Sequence, residues 1–527
     1  MNTTQRKGCG KSLWKTTRHC LVIFKKQAME FCRETVLHGY KYIGEHHRPL
    51  IDRIGWAITT FASLCFVTMI MTFTYDHYSG DRLSSVVRST HHGIWHYPFP
   101  AVTMCDFNRV SLELTWKLVE KLKLPPSVSK EFIVQEMRLL NELLYPGRNE
   151  GNIRHNLSRL QNIFDANDLS IPMVIKAVTR NCESMMDACR IKTENVNCNE
   201  LFEPSLSRDG LCCSFNYITR ENSIGKEKDP LTMTSCGYQS GLTVLVNFNP
   251  DDYHATIVES VGIKVMLHDP YDYPGFDATT KLIAVNKYSF LTIQPEATSS
   301  TGTVRSIPLA TRTCAFMDEI EPTGIYKNVK RKSVFAKYSF RNCLTECRAS
   351  VIKTKCGCIP YYYSQNDTRV CNLKDVDCLN TFKYWYTTAW PGIDLSPKTL
   401  PTVQVDTKHR SCGCKPDCDF YHYSVENSVG TLHSQMFHHG LKYTNNIGEG
   451  NPSINQSIIH VFFGDLVSLQ YRRDVRYSWR RIFATFGGLF GLFVGFNLMS
   501  IFEFVYFFVI RIITDVRTKT KNGKQKT

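Results

Sequence analysis

Two uncharged apolar runs, one near each end, constrain this chain more than any other feature. Residues 54–75 are 22 consecutive positions without a Lys, Arg, Asp or Glu, close to the ~20 residues that carry a helix across about 30 Å of hydrocarbon. A buried helix of a soluble domain is the alternative, and it rarely runs so far without a charge. The run is too far from Met1 and too long for a cleaved signal peptide, so it reads as a signal anchor. Residues 482–510 are 29 positions whose only charge is Glu503. That is longer than a straight span needs, and it predicts a tilt, a kink or a break.

Charge sets the orientation. The formal net charge is +15, and residues 1–53 and 511–527 together hold +12 of it. A nucleic-acid binder would carry its basic surface on a folded domain or beside aromatic platforms. Here each basic end abuts an apolar run, the positive-inside pattern, which excludes nucleic acid as the expected partner and points to the membrane. The expected layout is a cytoplasmic arm 1–53, a span 54–75, an external domain 76–481, a second span 482–510 and a basic cytoplasmic tail 511–527, in the plasma membrane. Arg472, Arg473, Arg476, Arg480 and Arg481 stand just outside the second run and argue against it; the first span usually decides.

Of 21 cysteines, 17 lie between Cys105 and Cys418. Such density fits an oxidising compartment and structural disulfides. Zinc is the competing reading for Cys356-Gly357-Cys358 and Cys412-Gly413-Cys414, but C-x-C is not the spacing of structural zinc sites, and no metal is expected. Sequons at Asn156, Asn366 and Asn455 agree with export. Apolar spacing predicts helices over 111–124 and 129–145, and β-branched or alternating runs predict strands over 242–248, 262–268 and 287–293. The fold class is therefore an α+β membrane protein, with two transmembrane helices flanking a large disulfide-rich extracellular domain that has a β-sheet core and peripheral helices. Aromatics at 361–363 and 382–390 read as loop packing around disulfides. The chain has no nucleophile elbow, zinc-protease helix, phosphate loop or kinase motif, so no enzyme is expected.

Two spans, short basic ends and a cysteine-rich middle resemble the epithelial sodium channel and degenerin family, and local motifs carry the match further. Leu37-His38-Gly39 resembles the family's His-Gly gating motif. Phe99-Pro100-Ala101-Val102-Thr103-Met104-Cys105 resembles its Phe-Pro-Ala-Val-Thr-x-Cys signature, and Gly210-Leu211-Cys212-Cys213-Ser214-Phe215-Asn216 resembles Gly-x-Cys-x-x-Phe-Asn. The doubled Cys212-Cys213 is most similar to the insect pickpocket branch. The family's nested pattern implies Cys314–Cys418, Cys343–Cys414, Cys347–Cys412, Cys356–Cys378 and Cys358–Cys371, with Cys105–Cys212 and Cys182–Cys189, leaving Cys198, Cys213 and Cys236 unassigned.

The last apolar run also resembles the family's pore signature, over residues 487–503. Gly487, Gly491 and Gly495 recur every four residues, a small-residue stripe along which helices can approach, and Gly488 beside them weakens the helix further. The stripe alone fits a non-conducting anchor equally well. By resemblance, Gly495-Phe496-Asn497 occupies the place of a Gly-x-Ser selectivity filter, where a broken helix turns carbonyls and a small polar group toward a permeating cation. Asn497, Ser500 and Glu503 are three apart and share a helix face, and Glu503 would sit near the cytosolic mouth; a carboxylate snorkelling at the interface is its alternative. Ala484 matches the degenerin position, where a larger side chain holds the gate open.

The resemblance implies a trimeric, amiloride-sensitive-type sodium or cation channel, homo- or hetero-oligomeric, needing no cofactor beyond the permeant sodium ion. Gating by an extracellular chemical or mechanical stimulus, in a sensory role, is implied by the resemblance without any residue that selects the stimulus. The loop after Cys378 lacks the acidic pair of proton-gated relatives, so acid sensing is not expected. An auxiliary or ligand-binding receptor subunit that conducts little is the alternative, motivated by Asn497 standing where the family has serine. ATP-gated trimeric channels share the layout but not these motifs.

Overall fold

The computed structural model describes residues 24–80, 83–147, 151–219, 229–319, 335–363, 368–388, 390–393, 395, 411–432 and 455–514. They fall into two compact units, Ser85–Asp474 and Met1–Ser84 with Val475–Thr527. The middle unit is shorter at both ends than the expected 76–481. Helix Leu50–Gly80 runs past the uncharged stretch, and helix Trp479–Val494 starts before its own. A charge-free run marks where hydrocarbon fits, while a helix continues until a breaker or cap stops it.

Two sheets carry the Ser85–Asp474 unit. The larger has the order Leu83–Gly93, Val467–Val475, Lys287–Ser300, Gln456–Phe463, Leu242–Asn247, Met186–Ile191, Glu194–Val196, with Phe420–Thr431 also paired to Lys287–Ser300. The smaller runs Thr279–Ala284, Gly262–His268, Ala101–Asp106, Gly210–Phe215, Phe202–Ser207. All three expected strands are present. The strand expected to stop at 293 continues to Ser300, with Pro295 accommodated in the ladder opposite Tyr423. Leu291, Ile293, Ile459, Val461 and Phe463 share one buried core with Phe99, Val102, Met104, Val265 and Leu267 of the smaller sheet side. This core is the α+β centre that the alternating runs foretold.

Helices Leu112–Val119, Lys130–Glu136, Gly151–Ala166, Ile171–Val178 and Phe340–Cys356 form a second core around Tyr361, Tyr362 and Tyr363. Ser111, Ser129 and Ser339 cap three of them, accepting from Leu114 N at 3.1 Å, Phe132 N at 3.2 Å and Asn342 N at 3.1 Å, each cap worth about 1 kcal/mol. Both expected helices are shorter than read. The first ends at Val119, short of Pro125-Pro126. The second turns 3-10 over Met137–Leu143, where buried Met137, Leu140 and Leu143 have the three-residue period of that helix.

Among the described residues, eight disulfides are formed. Five make the ladder Cys314–Cys418, Cys343–Cys414, Cys347–Cys412, Cys356–Cys378 and Cys358–Cys371, and Cys105 bonds Cys212. The implied Cys182–Cys189 bridge is replaced: Cys182 bonds Cys213, and Cys189 bonds Cys198. Strand pairing explains the exchange, because Cys189 faces Val196 across a short hairpin that brings Cys198 beside it. Cys236 keeps a free thiol. Cys358 and Cys371 lie with Asp375 in a cluster of metal-type donors, but the two sulfurs are spent on each other.

A group of carboxyls lies at the start of helix Phe340–Cys356, unforeseen from sequence. Phe340 N donates to Asp417 Oδ1 at 3.1 Å, Arg341 Nη1 to Asp272 Oδ2 at 3.4 Å, and Tyr271 N to Asp269 Oδ1 at 3.0 Å. Burial, then repulsion from Asp272, pushes both Asp269 and Asp417 up to about 7; burial also raises Asp272. Burial holds the neighbouring His268 down to about 4. The unfolded aspartates titrate near ~3.9, so the folded protein takes up these protons first, and stability rises as pH falls through about 7. His268 works in reverse, because its unfolded imidazole protonates near ~6.5 while the folded one stays neutral. The unfolding midpoint of the detergent-solubilised chain should therefore climb by roughly 2–4 °C from about pH 8 to about pH 6.5, and more gently below that as His268 offsets one of the two protons. Asp417→Asn should flatten that climb. A pH-independent midpoint in the parent protein over this interval would contradict the assignment.

Candidate functional site

The site is built where the final apolar run breaks. Ser478 caps helix Trp479–Val494, accepting from Arg481 N. The helix stops at Gly495, which adopts the left-handed conformation with φ 76°. That region costs an L side chain ~1–2 kcal/mol and glycine nothing. A second helix starts at Leu498, and with its continuation to Thr514 it lies at 68° to the first. Helix Leu50–Gly80 is long and apolar enough to cross a membrane, whereas the two later helices meet that test only when taken as one bent pair.

The end of a helix leaves carbonyls unpaired, and here the rest of the unit takes most of them. Gly495 N donates to Gly491 O at 3.1 Å and Phe496 N to Phe490 O at 3.3 Å. Ser63 Oγ of helix Leu50–Gly80 donates to Phe493 O at 2.8 Å, and His38 N donates to Val494 O at 3.0 Å. Among the described residues, the carbonyls of Gly495 and Phe496 accept no hydrogen bond. The break therefore presents two backbone oxygens that the helix end itself does not consume.

Asn497 has a task that was not foreseen. Its Oδ1 accepts from Ser500 N at 3.0 Å, and its own N donates to Ser500 Oγ at 3.3 Å, a reciprocal cap on helix Leu498–Val505. The three polar residues expected on one open face are thus partly used internally. Asn497 and Ser500 bind each other, Ser500 is buried, and Glu503 Oε2 accepts from Thr35 Oγ1 at 2.9 Å. Asparagine and serine are about equally good N-caps, so asparagine at this position still starts the inner helix.

The N-terminal arm closes around the break. Residues 24–34 are helical; Phe31 packs edge-on to Phe504, Phe507 and Phe508 with ring centres 5.2–6.2 Å away, and Arg511 pairs with Glu30 at 2.7 Å. Gly39 is left-handed with φ 83°, and a Cβ there would meet Thr60 Cγ2 at 2.6 Å. A Cβ on Gly495 would fall 2.7 Å from the His38 ring. His38 and Gly495, 457 positions apart in the chain, are thus in direct contact.

The glycine stripe needs one correction. Gly487 and Gly491 lie within the helix, but Gly495 ends it, because its left-handed φ leaves the helical path. Cβ atoms built on Gly487 and Gly488 meet nothing within 4 Å, so this face is open in the single chain. Ala484 is exposed on the same helix, one residue before Thr485, whose Oγ1 accepts from Tyr78 OH at 3.4 Å. In the Ser85–Asp474 unit, Asn156 lies half-buried on helix Gly151–Ala166, and Asn455 directly precedes strand Gln456–Phe463. Asn366 lies outside the described residues.

Comparison with known proteins agrees with this arrangement. Residues 31–507 match the amiloride-sensitive sodium channel family. The sodium channel protein Nach of Drosophila melanogaster is 24% identical over 518 residues, covering 94% of this chain and 89% of that protein. Pickpocket protein 28 of the same fly is 23% identical, covering 95% and 81%. The human bile acid-sensitive ion channel is 24% identical, covering 91% and 85%. Its fold, its break and these relatives together place the chain in the amiloride-sensitive sodium channel family, a family of membrane ion channels and not of enzymes.

Proposed function

We propose that this chain is a pore-forming subunit of a sodium-preferring cation channel. Two membrane-spanning segments place both termini on the cytosolic side of the plasma membrane, and three subunits, identical or related, surround the pore. The observation that carries this reading is the pair of unpaired carbonyls at Gly495 and Phe496, at a break where the carbonyls of Phe490, Gly491, Phe493 and Val494 are engaged. Oxygens that replace part of a cation's hydration shell are what selective conduction needs. The open glycine face at Gly487 and Gly488 suits close approach of a neighbouring subunit's helix. The exported disulfide-rich domain receives the chemical or mechanical stimulus, in a sensory role, and sodium is the permeant ion with no cofactor.

Patch recording with ion substitution tests this, with the chain expressed alone and with related subunits. Inward current carried by sodium in preference to potassium is expected. Asn497→Ser keeps the cap but shortens the side chain beside the two carbonyls, and a several-fold change in the sodium-to-potassium ratio is expected. An unchanged ratio in a co-expressed channel would favour an auxiliary or ligand-binding subunit that does not line the path.

A further inference from the structure

The Ser85–Asp474 unit holds a small cavity whose lining includes Arg109, Asn141, Leu144, Thr179, Gly210 and Tyr361. Most of its polar groups are already satisfied by protein. Asn141 Nδ2 donates to Thr256 O at 3.1 Å, and Thr179 Oγ1 donates to Arg109 O at 3.2 Å. Arg109 is the exception. It lines the cavity and is only 5% exposed, its Nη1 reaches a disulfide sulfur of Cys212 at 3.8 Å, and among the described residues its Nε has no partner.

The surroundings add positive charge. Arg208, 4% exposed, donates through Nη2 to Leu144 O at 2.6 Å and lies over the rings of Tyr145, Phe276 and Tyr362 at 4.6–5.1 Å. Its Nε and Nη1 are also unpartnered. The nearby carboxylate, Asp209, is already occupied by Tyr145 OH and Lys264 Nζ. Tyr361, on the cavity wall, feels Arg109, Arg208 and Asp209 together. Among the described residues, Arg109 and Lys264 thus both act on one carboxylate that already has two donors, and Arg208 is a further buried cation felt at Tyr361. Gly210 keeps the space open, since a Cβ there would come within 3.0 Å of Tyr361 Oη and 3.6 Å of Leu144 Cδ1.

We propose that this cavity binds a small inorganic anion of halide size, held by the free Nε–H of Arg109 with the Arg208 guanidinium behind it. A buried unpaired charge costs several kcal/mol. A water molecule would satisfy the hydrogen bond but leave the charge; an anion supplies both. The cavity has room for about one water-sized body, which selects a monatomic ion over sulfate, phosphate or a nucleotide. Chloride is the abundant ion of that class outside cells. The site is independent of the pore reading, so either can fail alone.

The test uses the purified full chain in detergent, with sodium chloride exchanged for sodium methanesulfonate at constant sodium and pH. The unfolding midpoint should rise saturably between about 1 and about 150 mM chloride, as expected for a ligand of the folded state, and bromide should substitute. Arg109→Lys retains a charge but loses the Nε–H, and half of the rise should then require at least tenfold more chloride. If that variant does not fold, Ile175→Phe serves instead; it occupies cavity space without removing a charge and should abolish the rise. A midpoint that ignores chloride in the parent chain overturns the proposal, and so does a rise that either folded variant leaves intact.

Discussion

Alanine at Gly495 is expected to reduce sodium current at least tenfold while the protein still reaches the cell surface. Gly495 ends helix Trp479–Val494 at φ 76°, a conformation that costs an L residue ~1–2 kcal/mol. The new methyl would also fall 2.7 Å from His38 Cδ2 and 2.9 Å from Cγ. His38 cannot simply withdraw, because its own N–H holds Val494 O at 3.0 Å. The substitution must straighten the break or lift the arm. A shift of about 1.4 kcal/mol between such arrangements already changes their ratio tenfold. His38→Ala added to Gly495→Ala removes the clash but not the backbone strain, so partial recovery is expected. Patch recording with surface labelling reads both variants, and parent-like current from Gly495→Ala would show that the left-handed stop is dispensable.

The second large effect is opposite in sign. Ala484→Val should give a sustained inward sodium current several-fold above that of the parent. Ala484 is exposed in the single chain, on the helix that bears the open faces of Gly487 and Gly488, so within a trimer its methyl would face packing that differs between closed and open states. Overfilling a packed contact costs ~1–3 kcal/mol. If the cost falls on the closed state alone, the open population rises by about 5- to 150-fold. Recordings from cells with surface-labelled Ala484→Val, alone and with related subunits, check this. No current in any combination, despite delivery, would contradict it.

The position of the break was legible because one residue type suits it: a glycine run inside a long apolar stretch, ending in Gly-Phe-Asn, marks both a left-handed stop and a new N-cap. The Asn497–Ser500 cap could also have been read, since Asn-x-x-Ser before Leu498 is close to a capping pattern. The resemblance to a filter draws attention to the ion path and away from this local cap. The contacts of Thr35 with Glu503 and of Glu30 with Arg511 were not legible. They join positions more than 450 residues apart, and no local periodicity encodes such a meeting. The same limit hid the carboxyl group of Asp269, Asp272 and Asp417, and it misassigned Cys182, whose partner depends on which strand edge Cys213 occupies. The β core was readable where side chains alternate, and obscured at Pro295, where pairing tolerates a residue that sequence alone treats as a stop.

The central claim is that water and sodium reach the Gly495-Phe496-Asn497 break in the assembled protein. Cysteine introduced as Phe496→Cys, in a background with Cys32, Cys65 and Cys236 replaced, measures this directly through a small cationic methanethiosulfonate reagent applied from the aqueous phase during recording. The account predicts rapid modification and a marked loss of sodium current. A thiol that stays unmodified in complexes at the surface, with current unchanged, would contradict it.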